Sequence, residues 1–151
     1  MILLSAGHHP QAQGATYNGV SEHSLAVPWC EAIARRVEAE FEIALVPTGP
    51  LAGKIAWING QPQALLAVEL HFNSDESRRQ GGAETLFCPG SVMGRTVAKM
   101  IHDEYAHLFP PNRGVKEGWF RMIRPPDPKA VPDAFLSETN PIAVILEPEF
   151  I

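Results

Sequence analysis

Ala64-Leu65-Leu66-Ala67-Val68-Glu69-Leu70-His71-Phe72-Asn73-Ser74 is the stretch from which the fold can be read. Its front half is an unbroken apolar run, the pattern of a strand covered on both faces of a sheet, and it breaks off in His71, Asn73 and Ser74. In open α/β sheets, ligands bind outside the carboxyl ends of the strands, where a rigid strand holds side chains that still reach solvent. Two other stretches share this design. Met1 to His9 runs apolar into Gly7-His8-His9, and Ile142 to Ile151 runs Ile-Ala-Val-Ile-Leu into Glu147. Three strands would each bring an ionisable group to one edge.

The segments between them alternate in the way a helix-covered sheet requires. Cys30, Ile33, Ala34, Val37 and Phe41 follow a 3.6 period, one face of a helix. Pro28 fits best in that helix's first turn, which predicts a start near Ser24 or Leu25 and leaves Glu22 in the loop Gly7 to Val20 opens, at the helix mouth. Ile43 to Val46 reads as a strand, and Leu51 to Asn59 as a short helix or turn-rich link. Asp75 to Gly82 is a polar loop and Ala83 to Cys88 the next strand. Ser91 to Leu108 is a second amphipathic helix with Met93, Val97, Met100, Ile101, Tyr105 and Leu108 on one side and Ser91 as N-cap. Pro110 and Pro111 stop it. Asn112 to Asp133 is expected to be irregular, and Ala134 to Glu138 a short strand or helical turn. The order predicts an α/β fold: a single domain, 1–151, with a twisted, mixed, mostly parallel central sheet of about six strands flanked by helices.

Composition removes several function classes. Hydrophobic residues make up 45% of the chain and charged residues 19%, an ordinary globular balance. A net charge of -5 argues against a phosphate-binding surface, so nucleic acid is excluded as an expected partner. No apolar run approaches the roughly 20 residues that span a bilayer, and Met-Ile-Leu-Leu reaches Ser5 and Gly7 too soon for a signal peptide. Synthesis in the cytoplasm without a signal peptide is the expectation. Cys30 and Cys88 are too few for a disulfide framework and read as reduced packing residues.

His8, Glu22 and His71 form a set of two imidazoles and a carboxylate. With water in a fourth position, such a set is an open catalytic zinc arrangement, in which bound water has a pKa near 7. Glu147, at a neighbouring strand end, is placed to take that water's proton and pass it to a leaving nitrogen. This is machinery for metal-assisted amide hydrolysis. Taken singly, His8 is a loop histidine, His71 a satisfied core histidine, and Glu22 a charge beside a helix N-terminus. Glu147 is harder to dismiss, since a carboxylate after five apolar residues is costly to bury without a partner or a task; Glu149 is its same-face rival. His102 and His107 stand five apart, about 140° around a helix, and read as a solvated face. Gly49 to Lys54 is one residue short of a phosphate loop and is followed by Ile55. Trp29, Trp57 and Trp119 are candidates for stacking on sugars, or packing residues.

Ser5-Ala6-Gly7-His8-His9, Gly14-Ala15, Gly19-Val20-Ser21-Glu22, Leu70-His71-Phe72-Asn73-Ser74, Asn112-Arg113-Gly114-Val115-Lys116, Leu136-Ser137-Glu138-Thr139-Asn140 and Ala143-Val144-Ile145-Leu146-Glu147-Pro148-Glu149-Phe150-Ile151 together resemble the zinc-dependent N-acetylmuramoyl-L-alanine amidases of the amidase-3 type, found in bacterial autolysins and phage endolysins. The match runs in order over nearly the whole chain. The resemblance implies one zinc ion on His8, Glu22 and His71, Glu147 as catalytic carboxylate, and peptidoglycan as substrate. The bond cut would be the amide between the lactyl group of N-acetylmuramic acid and the first L-alanine of the stem peptide. Asn73 is the candidate for substrate contact, and a monomer released to the cell wall on lysis is the expected form. Departures from the family pattern fall at Ser5, Ala6 and His9, where an acid, a Pro and a Gly are usual. Glu69 stands where a small residue is usual; it shares His71's face and is a candidate to support that ring. Two other readings stay open: a zinc peptidase cutting within the stem peptide, and an inactive peptidoglycan-binding module.

Overall fold

The computed structural model describes residues 1–74, 81–120 and 124–151. β1 (Ile2–Ala6), β4 (Ile43–Leu45), β5 (Leu66–Leu70), β6 (Glu84–Phe87), β7 (Gly114–Glu117) and β8 (Ile142–Glu147) form one sheet in the order β4-β1-β5-β8-β6-β7. β4, β1, β5 and β8 pair in parallel; β6 runs antiparallel to β8 and parallel to β7. The central position of β5 accounts for its apolar run, since every neighbour in the sheet and both faces are covered.

Period-two alternation sorts the core into two layers. Leu3, Ala67, Leu86, Ala143 and Ile145 face Ile58 of α2 (Leu51–Asn59) and Phe135 and Leu136 of α4 (Ala134–Glu138). Leu4, Val68, Phe87 and Val144 face Ala26 and Cys30 of α1 (Glu22–Val37) and Ala98 of α3 (Val92–Tyr105). The fold is the predicted α/β architecture, with helices on both faces of a mostly parallel sheet. No helix among the described residues is long and apolar enough to cross a membrane.

Local details differ from the sequence reading in instructive ways. α1 begins at Glu22, two or three residues earlier than predicted, and Pro28 lies inside it. The reason is a capping box: Ser21 Oγ accepts from Ser24 N at 3.2 Å while Ser24 Oγ accepts from Ser21 N at 2.9 Å, pairs that outweigh the one helical donor Pro28 lacks. Glu22 is therefore the first helical residue and not a loop residue. The loop predicted for Gly7 to Val20 contains a hairpin, β2 (Thr16–Tyr17) with β3 (Val20–Ser21), turned by Asn18 and Gly19 at φ 47° and 77°. Positive φ at both central residues is what an Asn-Gly pair supplies.

The sixth strand, β7, lies inside the segment expected to be irregular, while Ala134–Glu138 is a helical turn capped by Asp133, whose Oδ1 accepts from Phe135 N at 2.9 Å. Residues 75–80 of the predicted polar loop lie outside the described residues. Ser91 caps α3 as expected, its Oγ accepting from Gly94 N at 2.9 Å, and a 3-10 turn (Ala106–Leu108) follows. The face of α3 against the sheet is turned from the predicted one: Gly94, Ala98 and His102 are buried, and Met93 and Met100 are exposed. Small residues let α3 sit close to the sheet. His102 is thus a core residue and not part of a solvated face; its ring nitrogens meet Thr85 Oγ1 at 3.0 Å and Asn112 Oδ1 at 2.8 Å.

Replacing Ser21 with Ala removes half of the capping box and should cost about 1 kcal/mol. For a chain of this size that lowers Tm by roughly 2–4 °C. Thermal unfolding of Ser21→Ala with no change in Tm would show that the cap does not set the start of α1.

Candidate metal and catalytic site

Three adjacent parallel strands end at one edge, and the reactive groups follow from their register. Leu70 pairs with Leu146 on one side and with Ala6 on the other. One residue further on, His71 lies level with Glu147 on the next strand, one strand spacing away, about 4.8 Å between backbones. Glu147 in turn pairs directly with Glu84 on β6. His8 follows β1 after Gly7 and takes a left-handed conformation, φ 60°, which turns the chain at the strand end.

The β2–β3 hairpin and the capping box bring Glu22 to the same point. Its Oε2 receives His8 Nε2 at 2.8 Å and His71 Nδ1 at 3.3 Å, while Ala15 N donates to Oε1 at 2.8 Å. The two rings meet edge to face with centroids 4.8 Å apart. One ligand atom from each of His8, Glu22 and His71 lies within 4.8 Å of the others, so the three could hold a metal ion. Two glycines make room for the rings. A Cβ on Gly7 would stand 2.8 Å from the His71 ring, and one on Gly14 2.5 Å from Nε2 of His8. His23, which the sequence reading did not single out, is buried behind the site with Nδ1 at 3.0 Å from Gly7 O.

Beyond His71 lies a buried polar group. His71 Nε2 donates to Glu69 Oε2 at 3.1 Å. Ser5 Oγ and Lys54 Nζ donate to Glu69 Oε1 at 2.8 and 2.9 Å. Glu69 thus supports His71, as its place two residues away suggested. In the sequence, Lys54 stands out only as the end of an incomplete phosphate-loop pattern. The signal that reveals it is helical spacing: Lys54 shares the face of Ile55 and Ile58, so α2 carries it into the interior.

Glu84 is buried beside Glu147 and gathers Arg113 Nε at 3.0 Å, Lys116 Nζ and the Asn73 Nδ2 amide at 2.9 Å. Asn73, the candidate substrate contact, therefore stands at the strand end with its side chain on Glu84. Glu149, the rival to Glu147, accepts from the backbone N–H groups of Gly82 and Phe150, both at 2.9 Å. Trp29 packs edge-on against Phe72, and Trp57 against the core.

Identical carboxyl groups are driven in opposite directions here. Burial works against charge on Glu22, but hydrogen bonds from His71, His8 and Ala15 bring its pKa down to about 2. Glu69 is likewise brought to about 2, burial being overcome by His71 and Lys54. Burial also opposes charge on His71, yet its bonds to Glu22 and Glu69 raise it to about 10. Glu147 goes the other way. Burial, joined by the charges of Glu84 and Glu22, lifts it to about 7 although His71 and Lys116 pull it down. Its Oε2 is out of solvent contact and has no hydrogen-bond partner among the described residues.

A family model described as N-acetylmuramoyl-L-alanine amidase matches residues 2–151. Among solved structures, the catalytic domain of CwlV, an N-acetylmuramoyl-L-alanine amidase from Bacillus (Paenibacillus) polymyxa var. colistinus, is 19% identical, with a TM-score of 0.80 over 99% of this chain and 79% of that one. The N-acetylmuramoyl-L-alanine amidase from Clostridium difficile 630 is 17% identical, with a TM-score of 0.81 over 99% and 78%. The catalytic domain of the CD27L endolysin targeting Clostridia difficile is 22% identical, with a TM-score of 0.73 over 99% and 81%. At these identities the structures establish a shared fold. No curated protein sequence matches the chain.

The raised pKa of Glu147 carries a stability consequence. Between the ordinary carboxyl value of 4.5 and about 7 the folded protein binds more protons than the unfolded chain, so stability falls as pH rises through that window. Above about 7 the full penalty stands, up to about 3 kcal/mol. In metal-stripped protein, Glu147→Gln should therefore raise Tm by several degrees at pH 8 and by far less at pH 5. An equal shift at both pH values would show that the carboxyl is not held above its ordinary value.

Proposed function

The chain belongs to the N-acetylmuramoyl-L-alanine amidase family, and from that premise we propose that it cuts the amide between N-acetylmuramic acid and the first L-alanine of the stem peptide, using one zinc ion. It is a peptidoglycan amidase; the exact bond, the zinc and the residue roles are the proposal. The observation that carries it is the meeting of His8, Glu22 and His71, from three separate segments, beside a carboxyl group with a raised pKa.

The donor set suits zinc. Four-coordinate zinc with bonds of about 2.1 Å spaces its ligand atoms roughly 3.4 Å apart. Glu22 Oε2 lies 3.3 Å from His71 Nδ1, at that spacing, and 2.8 Å from His8 Nε2, inside it, and the ligand atoms of all three lie within 4.8 Å of one another, so small side-chain shifts would seat the ion. Two imidazoles and one carboxylate leave a coordination position for water or substrate. Zinc in such a site polarises a carbonyl and lowers the pKa of water toward neutrality.

The chain's own groups supply the rest. Glu22, held ionised, would offer Oε2 to the ion while Ala15 N anchors Oε1. Glu147 acts as general base, taking a proton from the attacking water on its unpartnered Oε2 and returning it to the leaving L-alanine nitrogen. Burial holds this carboxyl above the ordinary range in the metal-free protein, the direction that favours its carrying a proton between the two steps. Asn73, on the same edge, is proposed to touch the substrate. The working form is proposed to be a monomer acting on the cell wall after synthesis in the cytoplasm.

Digesting purified peptidoglycan with the zinc-loaded protein and weighing the products tests the bond: free stem peptides beginning with L-alanine are expected. Glu147→Ala should keep zinc at one equivalent and lose at least about 100-fold in rate. Shortened muropeptides in place of intact stems would sink the bond assignment, and equal rates for variant and wild type would remove Glu147 from the mechanism.

A further inference from the structure

Resting on the zinc reading, we propose that Lys54 is a positioning residue that fixes both metal-binding imidazoles at once, by tying the end of β1 to the carboxylate behind His71. Lys54 is 4% exposed and reaches up from α2 to the two neighbouring strand ends. Its Nζ donates to Ala6 O at 2.5 Å, two residues before His8, and to Glu69 Oε1 at 2.9 Å, two residues before His71. Ser5, fully buried and paired in register with Glu69, donates to the same oxygen at 2.8 Å.

These contacts leave Glu69 one orientation. With Oε1 taken by Lys54 and Ser5, Oε2 faces His71 Nε2 at 3.1 Å. Both ring nitrogens face a carboxylate, Nδ1 that of Glu22 and Nε2 that of Glu69; were Nδ1 to give up its hydrogen to bind an ion, the Glu69 carboxylate would keep the remaining one on Nε2. A carboxylate behind a metal-binding histidine fixes its tautomer and ring angle, and losing such support typically weakens metal binding 10–100-fold. Lys54 differs from a simple partner for that carboxylate. By holding Ala6 O as well, it sets the spacing between the strand ends that carry His8 and His71, a task the neighbouring Gly7 N to Leu70 O bond at 2.7 Å shares.

A buried ion pair has an alternative role, stabilising the fold alone, and the two separate in a paired substitution. Lys54→Met leaves Glu69 buried without its cation, and Glu69→Gln leaves Lys54 without its anion, so each single variant should unfold at lower temperature than wild type. The double variant, Lys54→Met with Glu69→Gln, removes both charges at similar volume and should recover most of the lost Tm. Zinc affinity, measured on the full chain by competition with a chromophoric chelator, should fall about 10-fold in Lys54→Met, which keeps the Glu69 carboxylate, and stay 10–100-fold weaker in the double variant. A double variant that binds zinc as tightly as wild type overturns the inference while leaving the zinc reading intact. Wild type that takes up no zinc overturns both.

Discussion

Parallel pairing of β1, β5 and β8 is the constraint on which the site depends. Because the three run side by side in fixed register, their carboxyl ends deliver the turn to His8, then His71 and then Glu147 to one edge. A slip of one residue in β5 would send Glu69 and His71 to the opposite face, among Cys30, Ala26 and Phe87. Such a slip would bury two ionisable side chains in an apolar layer. The core that fixes the register therefore fixes the chemistry, and the apolar front half of β5 is as necessary to the site as the histidine that ends it.

Glu22 arrives by another route. It belongs to no strand of the main sheet; a two-residue hairpin turn and a capping box hold it at the first turn of α1, where the N-terminal dipole also favours a carboxylate. Its position relative to His8 then depends on closeness as much as on contact. Gly14, at φ 75°, passes so near the His8 ring that no side chain fits there. Missing side chains at Gly7 and Gly14 shape the cradle for the two imidazoles, while the side chains that remain provide the ligand atoms.

Much of this was legible in the chain because strand-end chemistry follows a simple period. Apolar runs broken by His71 and Glu147 marked β5 and β8, and spacing marked both long helices. What escaped depended on local competition or on tertiary partners. Pro28 suggested a late start for α1, but two serine hydroxyls decided the matter. Asn18-Gly19 carried a hairpin signal that was hidden by the polar residues around it. β7 is short and begins at Gly114, so its pairing with β6 shows in the fold and not in the residues. His102 lay on a face whose buried members are Gly94 and Ala98, too small to add to an apolar stripe. Lys54 was visible only as a charge on an apolar face, and its meaning required Glu69 opposite.

The acids of the site show why composition alone could not assign roles. Glu22, Glu69, Glu84 and Glu147 are chemically identical and crowd one end of one sheet. Three of them are matched to cations or N–H donors and are held below the ordinary carboxyl range. Each match removes a competitor for the work of moving a proton, because a carboxyl held far below neutrality seldom accepts one. Glu147 alone of the four has a shielded oxygen with no partner among the described residues, and burial, helped by the charges of Glu84 and Glu22, pushes its pKa up. Environments that drive like groups apart are what divide electrostatic work from proton transfer. Arg113 and Lys116 therefore act on Glu147 too: they keep Glu84 ionised, and although Lys116 itself pulls the other way, the standing negative charge of Glu84 adds to burial in making Glu147 the group that holds a proton near neutral pH.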